Sequence, residues 1–324
     1  MRIFLTGASG FIGTNYLNDV LEKGWEPCNF DHSPPTLEAH RSCWVRGDIL
    51  DAEALKQAMA DFAPEAVLHL AARTDCDENT TVKQGYRTNT HGTAHLLAAI
   101  QATPSVRRAV ITSSQFVCGP GRLPEHDEDY FPHTVYGQSK VETEQLTRAS
   151  NLDCCWTLIR PTNIWGPYHA RYGKEFWRIV ALNLYLHPGL PTPTRCYGYV
   201  GNIIWQINRL LERNDEEVCG QTFYVGDRPT DIIHWIEGFH RELTGREKLL
   251  VMPPWVLRSI AKAGDGISAI TGKPFYLTSS RLHSMSTDYL TPMDKTFDTL
   301  GEPPFSLEEG IRASANWYRE QKQK

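Results

Sequence analysis

Along the first 166 residues, short apolar runs alternate with amphipathic stretches of ten residues or more. "RIFLTG" predicts a strand, "FIGTNYLNDVLEKG" a helix ending at Gly24, and "EPCNFD" a second, less apolar strand. The rhythm repeats through helix "DAEALKQAMADFAP", strand "EAVLHLAA", helix "NTHGTAHLLAAIQAT", strand "VRRAVITSS", helix "TVYGQSKVETEQLTRAS" and the strand of "DCCWTLIRPTNIWG". Strands separated by long helices pair in parallel and are covered on both faces. The pattern predicts an α/β fold built on a doubly wound parallel sheet. After residue 166 the rhythm degrades, with prolines and a glycine in "LHPGLPTPT". Helix "GYVGNIIWQINRLLER", strand "QTFYVGD" and helix "TDIIHWIEGFHRELTG" follow. The closing helix "SLEEGIRASANWYREQ" carries Ser306 and Glu309 at the spacing of a capping box. These elements predict one domain over 1–166, joined by segments returning from about 195–230, and a smaller mixed α/β C-terminal lobe over 167–324.

Composition changes this picture mainly by exclusion. A net charge of −5 without a Lys/Arg stripe argues against a nucleic-acid partner. No run of 18 apolar residues offers a membrane span. No signal-type n-region or h-region opens the chain, so a cytoplasmic protein is expected. The eight cysteines, Cys28, Cys43, Cys76, Cys118, Cys154, Cys155, Cys196 and Cys219, lack C-x-x-C or Cys/His spacing. They read as free thiols in a reducing compartment, with no metal site expected. Trp165, Trp177, Trp205 and Trp255 read as core side chains rather than the floor of a substrate site.

The first strand runs into "TGASGFIG", with Gly7, Gly10 and Gly13 between strand and helix. Gly7 permits a tight turn, Gly10 lets backbone N–H groups approach a pyrophosphate, and Gly13 allows close packing of helix on sheet. The helix N-terminus adds partial positive charge for the phosphates. Asp31 closes the second strand 18 residues after Gly13. An acid there accepts hydrogen bonds from both adenosine ribose hydroxyls, which favours NAD; His32 and Ser33 beside it offer little to the extra phosphate of NADP, although Arg41 could fold back. "GDI", Gly47 to Ile49, adds Asp48 near the expected place of the adenine amine.

Tyr136 and Lys140 lie one turn apart in "YGQSK". A phenol with a pKa near ~10 is a poor base at neutral pH, and an adjacent ammonium favours its phenolate. Such a tyrosine takes a proton from a hydroxyl as hydride leaves for NAD. Ser114, in "ITSSQF" at the end of the preceding strand, can hydrogen-bond the reacting oxygen. That sheet edge is where open α/β folds bind ligands.

With "HLAA", "NTHGT", "TSSQFVCG" and "RPTNIWGP" in order, the chain resembles an extended short-chain dehydrogenase/reductase of the NAD-dependent epimerase/dehydratase superfamily, nucleotide-sugar epimerase-like. The resemblance implies a Rossmann fold over 1–166, a substrate lobe over 167–324 and a homodimer formed through the two helices "NTHGTAHLLAAIQA" and "YGQSKVETEQLTRA". It implies a Ser114, Tyr136, Lys140 catalytic triad. It also implies a cofactor site lined by Gly7, Gly10, Phe11, Ile12, Gly13, Asp31, Asp48, Ile49, Leu70, Ala71, Ala72, Asn89, Tyr136, Lys140, Pro161 and Ile164. Thr74, Ser114, Asn163 and Arg195 would contact substrate, Arg195 on a diphosphate. Tyr168, Arg171 and Phe176 are further candidates.

Departures from the family pattern narrow the branch. Dehydratase relatives carry an Asp-Glu pair where this chain has Gln115 and Phe116, neither of which can eliminate water. Cys118 stands where a tyrosine is usual. Sugar-nucleotide epimerases usually show an acid where Gly201 or Asn202 lies, and "YVGN" with its aromatic sequel resembles the steroid-dehydrogenase-like branch. Asn202 reads as a cap of its helix. The leading expectation is an NAD-dependent epimerase of a nucleotide-linked sugar, acting through a transient keto intermediate with Tyr136 as acid and base. The alternative is a keto-sugar reductase or steroid-type alcohol oxidoreductase using NAD(P). A non-enzymatic NAD sensor is disfavoured, because both Tyr136 and Lys140 are present.

Overall fold

The computed structural model describes residues 1–187, 192–247, 249–272, 275 and 277–323. Positions 188–191, in the middle of "LHPGLPTPT", lie outside them. The chain divides into two compact units. Met1–Tyr168, Gly198–Asp227 and Thr291–Phe305 form the first, and His169–Tyr197, Arg228–Leu290 and Ser306–Lys324 the second.

The first unit is built on seven parallel strands: β1 (Arg2–Thr6), β2 (Glu26–Asp31), β3 (Trp44–Arg46), β4 (Ala66–His69), β5 (Arg108–Thr112), β6 (Cys155–Pro161) and β7 (Gln221–Val225). Their order across the sheet is β7-β6-β5-β4-β1-β2-β3. The order reverses between β1 and β4, and a crevice opens at the carboxyl ends of strands at such a switch point. Side chains alternate across β1: Ile3 and Leu5 pack with Tyr16, Leu17, Ile203 and Ile207 on one face. Phe4 packs with Leu55, Met59, Leu96 and Ile100 on the other. The helices concerned are α1 (Phe11–Glu22), α2 (Ala52–Phe62), α3 (Arg87–Gln101) and α5 (Val200–Glu212), while α4 (Val135–Ala149) lies against α3. Gly24, at φ 68°, turns the chain out of α1 where the sequence ends that helix.

Two features around the sheet depart from the sequence reading. β3 has only three residues, at the sheet edge and largely exposed, so it carries no apolar run to betray it. Cys155 and Cys219 are joined by a disulfide rather than being free thiols. They lie 64 residues apart in sequence, but β6 and β7 run side by side with Gln221 opposite Thr157, which brings Cys219 beside Cys155. Spacing along the chain cannot show such a pairing. The Asp215 carboxylate lies within 4.8 Å of both sulfurs, but they are already bonded to each other and Arg108 holds the carboxylate at 2.7 Å.

Within the second unit, Trp177, Trp235 and Phe239 form a buried aromatic core, and Phe176 stacks on Trp235 at 4.7 Å. Arg171 is instead paired with Glu175 at 3.4 Å on the surface. The capping box forms: Glu309 N–H donates to Ser306 Oγ at 3.2 Å, and Ser306 N–H to Glu309 Oε2 at 2.8 Å. Trp165 and Trp177 are buried and Trp205 packs partly buried, as core tryptophans should. Trp255 is not a core residue, being 70% exposed. Among the described residues no helix is long and apolar enough to cross a membrane.

Candidate active site

The glycine turn is shaped by contacts that only glycine satisfies. Gly7 has φ 74°, and a Cβ on it would lie 2.6 Å from the Ala71 backbone, so the turns after β1 and β4 touch at the switch point. A Cβ on Gly13 would lie 2.2 Å from Ala8 Cα, because α1 packs directly on the turn. Gly10 differs, since its added Cβ would meet only the Gly7 carbonyl oxygen at 3.3 Å. The space beside Gly10 is therefore open, and no side chain caps α1 there. An uncapped helix N-terminus with an open backbone face is suited to a pyrophosphate.

Asp31 ends β2, as the sequence indicates, and its carboxylate is buried. Oδ2 accepts from Ser9 N–H at 3.0 Å and Oδ1 from Ser33 N–H at 2.9 Å. These bonds fix its orientation and leave lone pairs for ribose hydroxyls. Asp48 is exposed and accepts from Leu50 N–H at 2.9 Å, while Ile49 is buried against Gly92 of α3. Phe11 and Ile12 open α1. Leu70, Ala71 and Ala72 follow β4, with Leu70 N–H donating to the Thr6 carbonyl at 2.9 Å. Pro161 ends β6, and Ile164 is buried just beyond it. The residues present thus fit NAD at the phosphate turn and at the ribose.

The reacting group stands at the ends of β5 and α4. Ser114 follows β5, its hydroxyl accepts from Phe116 N–H at 3.2 Å, and it lies close enough to Tyr136 to influence its phenol. Thr134 caps α4 by accepting from Gly137 N–H at 2.9 Å. A Cβ on Gly137 would lie 2.3 Å from the Phe116 carbonyl oxygen, so glycine there lets the start of α4 approach the loop that carries Ser114. Lys140 Nζ donates to the Thr112 carbonyl at 2.8 Å. Burial pushes the Tyr136 phenol well above its ordinary value, and Ser114 pulls the other way. Burial lowers Lys140 to about 8, opposed by the Glu144 carboxylate one turn on. Tyr136 is therefore a phenol at neutral pH in this state, rather than a phenolate supported by Lys140.

Beneath these groups lies a buried network that sequence reasoning missed. Arg160 Nε and Nη2 donate to Glu144 Oε1 and Oε2, each at 2.8 Å, and both side chains are fully buried. Ser113 Oγ donates to Glu144 Oε1 at 2.6 Å and Tyr130 OH to Oε2 at 3.0 Å. His69, from "HLAA", bridges Thr6 Oγ1 at 2.7 Å and Thr93 Oγ1 at 3.1 Å; burial and the nearby Lys140 depress it to about 3. Cys76 takes a left-handed backbone, φ 53°, in the loop after β4. The paired spacing of Glu144 four residues after Lys140 is the one sequence signal for this network.

Other predicted contacts hold hydrogen bonds within the protein or stand at open positions. Asn89 spends its amide on structure: Oδ1 accepts from Arg73 N–H at 2.8 Å, and Nδ2 donates to the Arg73 carbonyl and Ser139 Oγ at 3.0 and 2.9 Å. Thr74 is exposed on the loop held by Arg73, and Asn163 is half-buried past β6. Arg195 belongs to the second unit, where Nη2 donates to the Thr287 carbonyl at 2.9 Å. Asn202 does not cap α5. Its Nδ2 donates to Asp227 Oδ1 at 2.7 Å and to the Phe305 carbonyl at 2.9 Å. Asp227, just past β7, is the partner of Asn202, and burial raises its carboxyl to about 6. Phe116 meets the Tyr136 ring edge-on at 5.8 Å, occupying with an apolar ring a place where dehydratases need a carboxyl group.

Comparison with known proteins agrees with this geometry. Residues 3–226 match the model of the "NAD dependent epimerase/dehydratase family". A 3-beta-hydroxysteroid dehydrogenase of Mycolicibacterium neoaurum is 31% identical over 70% of this chain, and the chain spans 65% of that protein's length. An Escherichia coli O157:H7 enzyme named N-acetyl-alpha-D-glucosaminyl-diphospho-ditrans,octacis-undecaprenol 4-epimerase is 26% identical over 96% of this chain and 93% of its own. The solved UDP-glucuronic acid 4-epimerase of Bacillus cereus, in complex with UDP-glucuronic acid and NAD, shares the fold at TM-score 0.74 and 19% identity, covering 99% and 100% of the two chains.

Proposed function

The chain belongs to the NAD dependent epimerase/dehydratase family and uses NAD, and from that premise we propose that it is an epimerase of a sugar carried on a diphosphate, a nucleotide-linked sugar in the first instance. The observation that carries this reading is the burial of Tyr136 and Ser114 together, with Lys140 one turn on and bonded to the Thr112 carbonyl, at the carboxyl edge of the sheet. A relative that matches almost end to end also bears the name of a diphosphosugar 4-epimerase.

Bound NAD would be held by the α1 N-terminus at Gly10 and by Asp31, and the chemistry it supplies is reversible acceptance of hydride. Tyr136 moves the proton. It takes the proton from the sugar hydroxyl as the carbon is oxidised and returns it when the keto sugar is reduced from its other face. Ser114 holds the reacting oxygen through its hydroxyl. Lys140 supplies positive charge that favours Tyr136 as phenolate in the oxidised complex. The rings of Phe116 and Tyr86 pack on Tyr136 and shield it from water. A cytoplasmic homodimer is part of the proposal; Ala98 of α3 and Leu146 and Ala149 of α4 leave an apolar strip exposed on the paired helices.

Two results test the mechanism. Turnover should need no added oxidant or reductant and produce no net reduced nicotinamide. It should also decline as pH rises above about 8, because Lys140 then loses the proton on which its charge depends. A rate rising through that range would contradict the role given to Lys140. The second reading, a steroid-type or keto-sugar oxidoreductase, is favoured by the steroid-dehydrogenase relative. It requires stoichiometric consumption of cofactor.

A further inference from the structure

The second unit buries its aromatic core well but leaves a different set of apolar side chains in solvent. Trp255 is 70% and Ile270 88% exposed, with Leu184, Leu250, Val251 and Ile267 also exposed. They are not scattered. The strand Leu250–Val251 pairs with Leu186–His187, leaves both its residues exposed, and leads through Met252 and Pro253 into the helix Pro254–Thr271. That 18-residue helix turns Leu257, Ala261 and Gly264 inward, against Leu277. On its outer face Trp255, Ala263 and Ile270 recur at intervals of seven and eight residues, two turns apart, with Ile267 beside them. Arg258 and Lys262, both exposed, flank this stripe on one side. The helix's acid, Asp265, accepts from Ser279 N–H and Oγ.

Charge singles out the occupant. Between residues 246 and 262 the sequence carries four cations and one acid, on a chain whose net charge is −5. Exposed Arg258 and Lys262 beside the apolar stripe, on a chain of opposite overall charge, complement an anionic lipid headgroup layer. Tryptophan favours the membrane–water interface, and an amphipathic helix with a cationic flank lies in its plane. The helix is about 27 Å long at 1.5 Å per residue, a linear footprint suited to lying flat.

We propose that the exposed strand Leu250–Val251 and the outer face of the helix Pro254–Thr271 form a docking surface for an anionic lipid bilayer. The surface holds the protein on the membrane without a spanning segment. It is independent of the substrate assigned above.

The test is flotation of the full chain with vesicles of equal parts phosphatidylglycerol and phosphatidylcholine, against vesicles of phosphatidylcholine alone. The anionic vesicles should carry at least tenfold more protein, and the difference should shrink at high salt. Trp255→Asp with Ile270→Asp should release the protein at least tenfold. Arg258→Glu with Lys262→Glu should do the same and remove the salt dependence. All four positions are exposed, so melting temperature and retention of NAD should be unchanged. Failure of the wild type to float, or equal flotation of the variants, would overturn the proposal. So would variants that turn a dimer into a monomer in sedimentation, which would assign this face to a second copy of the chain. None of these outcomes touches the epimerase reading.

Discussion

Replacing Tyr136 with phenylalanine is expected to abolish turnover while leaving both fold and nucleotide in place. The change removes one hydroxyl, close to Ser114, and keeps the ring that packs on Phe116 at 5.8 Å and Tyr86 at 6.1 Å. A positioned acid–base group contributes on the order of 10²–10⁴ in rate, so kcat should fall by at least that range. Removal of one desolvated hydroxyl costs little packing, so the melting temperature should hold. The measurement is kcat alongside moles of nucleotide per mole of protein. Activity within tenfold of wild type would sink the mechanism. Loss of nucleotide together with activity would instead mark Tyr136 as a binding residue.

Glu144→Ala is expected to be the most destabilising single change in the first unit. It strips Arg160 of both carboxylate bonds in a place fully closed to solvent, and removes the acceptor used by Ser113 and Tyr130. Breaking a buried pair from one side costs roughly 3–5 kcal/mol, because the remaining charge is stranded. Denaturant unfolding should register that loss, and Glu144→Met with Arg160→Met should recover much of it. A loss below about 1 kcal/mol in the single variant would mean that water reaches Arg160 and that the network is not the rigid floor described above.

The fold was legible because its information is local. Gly7, Gly10, Gly13 and Asp31 sit at spacings set by one strand–turn–helix unit, and Tyr136 and Lys140 by one helical turn. What the chain pattern could not show depends on pairs distant in sequence. Cys155 meets Cys219 only because β6 and β7 are neighbours. Asp227 meets Asn202 across 25 residues, so the acid beside position 202 comes from another element and leaves no mark in the local sequence. Asn89 and Arg195 carry the right chemistry for ligand contact, yet their hydrogen bonds go to Arg73 and Thr287. Trp255 failed as a core residue because tryptophan is read as buried by type, and only packing reveals which face of its helix it occupies. The pKa of Tyr136 is a further case. The nearby ammonium is legible in sequence, but the burial that outweighs it is not.

The central claim is that this protein interconverts epimers of a diphosphate-linked sugar with a cofactor it keeps. The most direct measurement starts from protein as purified, with nothing added. One portion is denatured and its released nucleotide identified by mass; the other is offered UDP-, GDP-, CDP- and dTDP-sugars. NAD in the released fraction, with a sugar isomerised and no net change in the reduced nicotinamide absorbance, is the predicted result. An empty site, with turnover only when NAD(H) or NADP(H) is supplied and consumed, would contradict it and make the protein a net oxidoreductase.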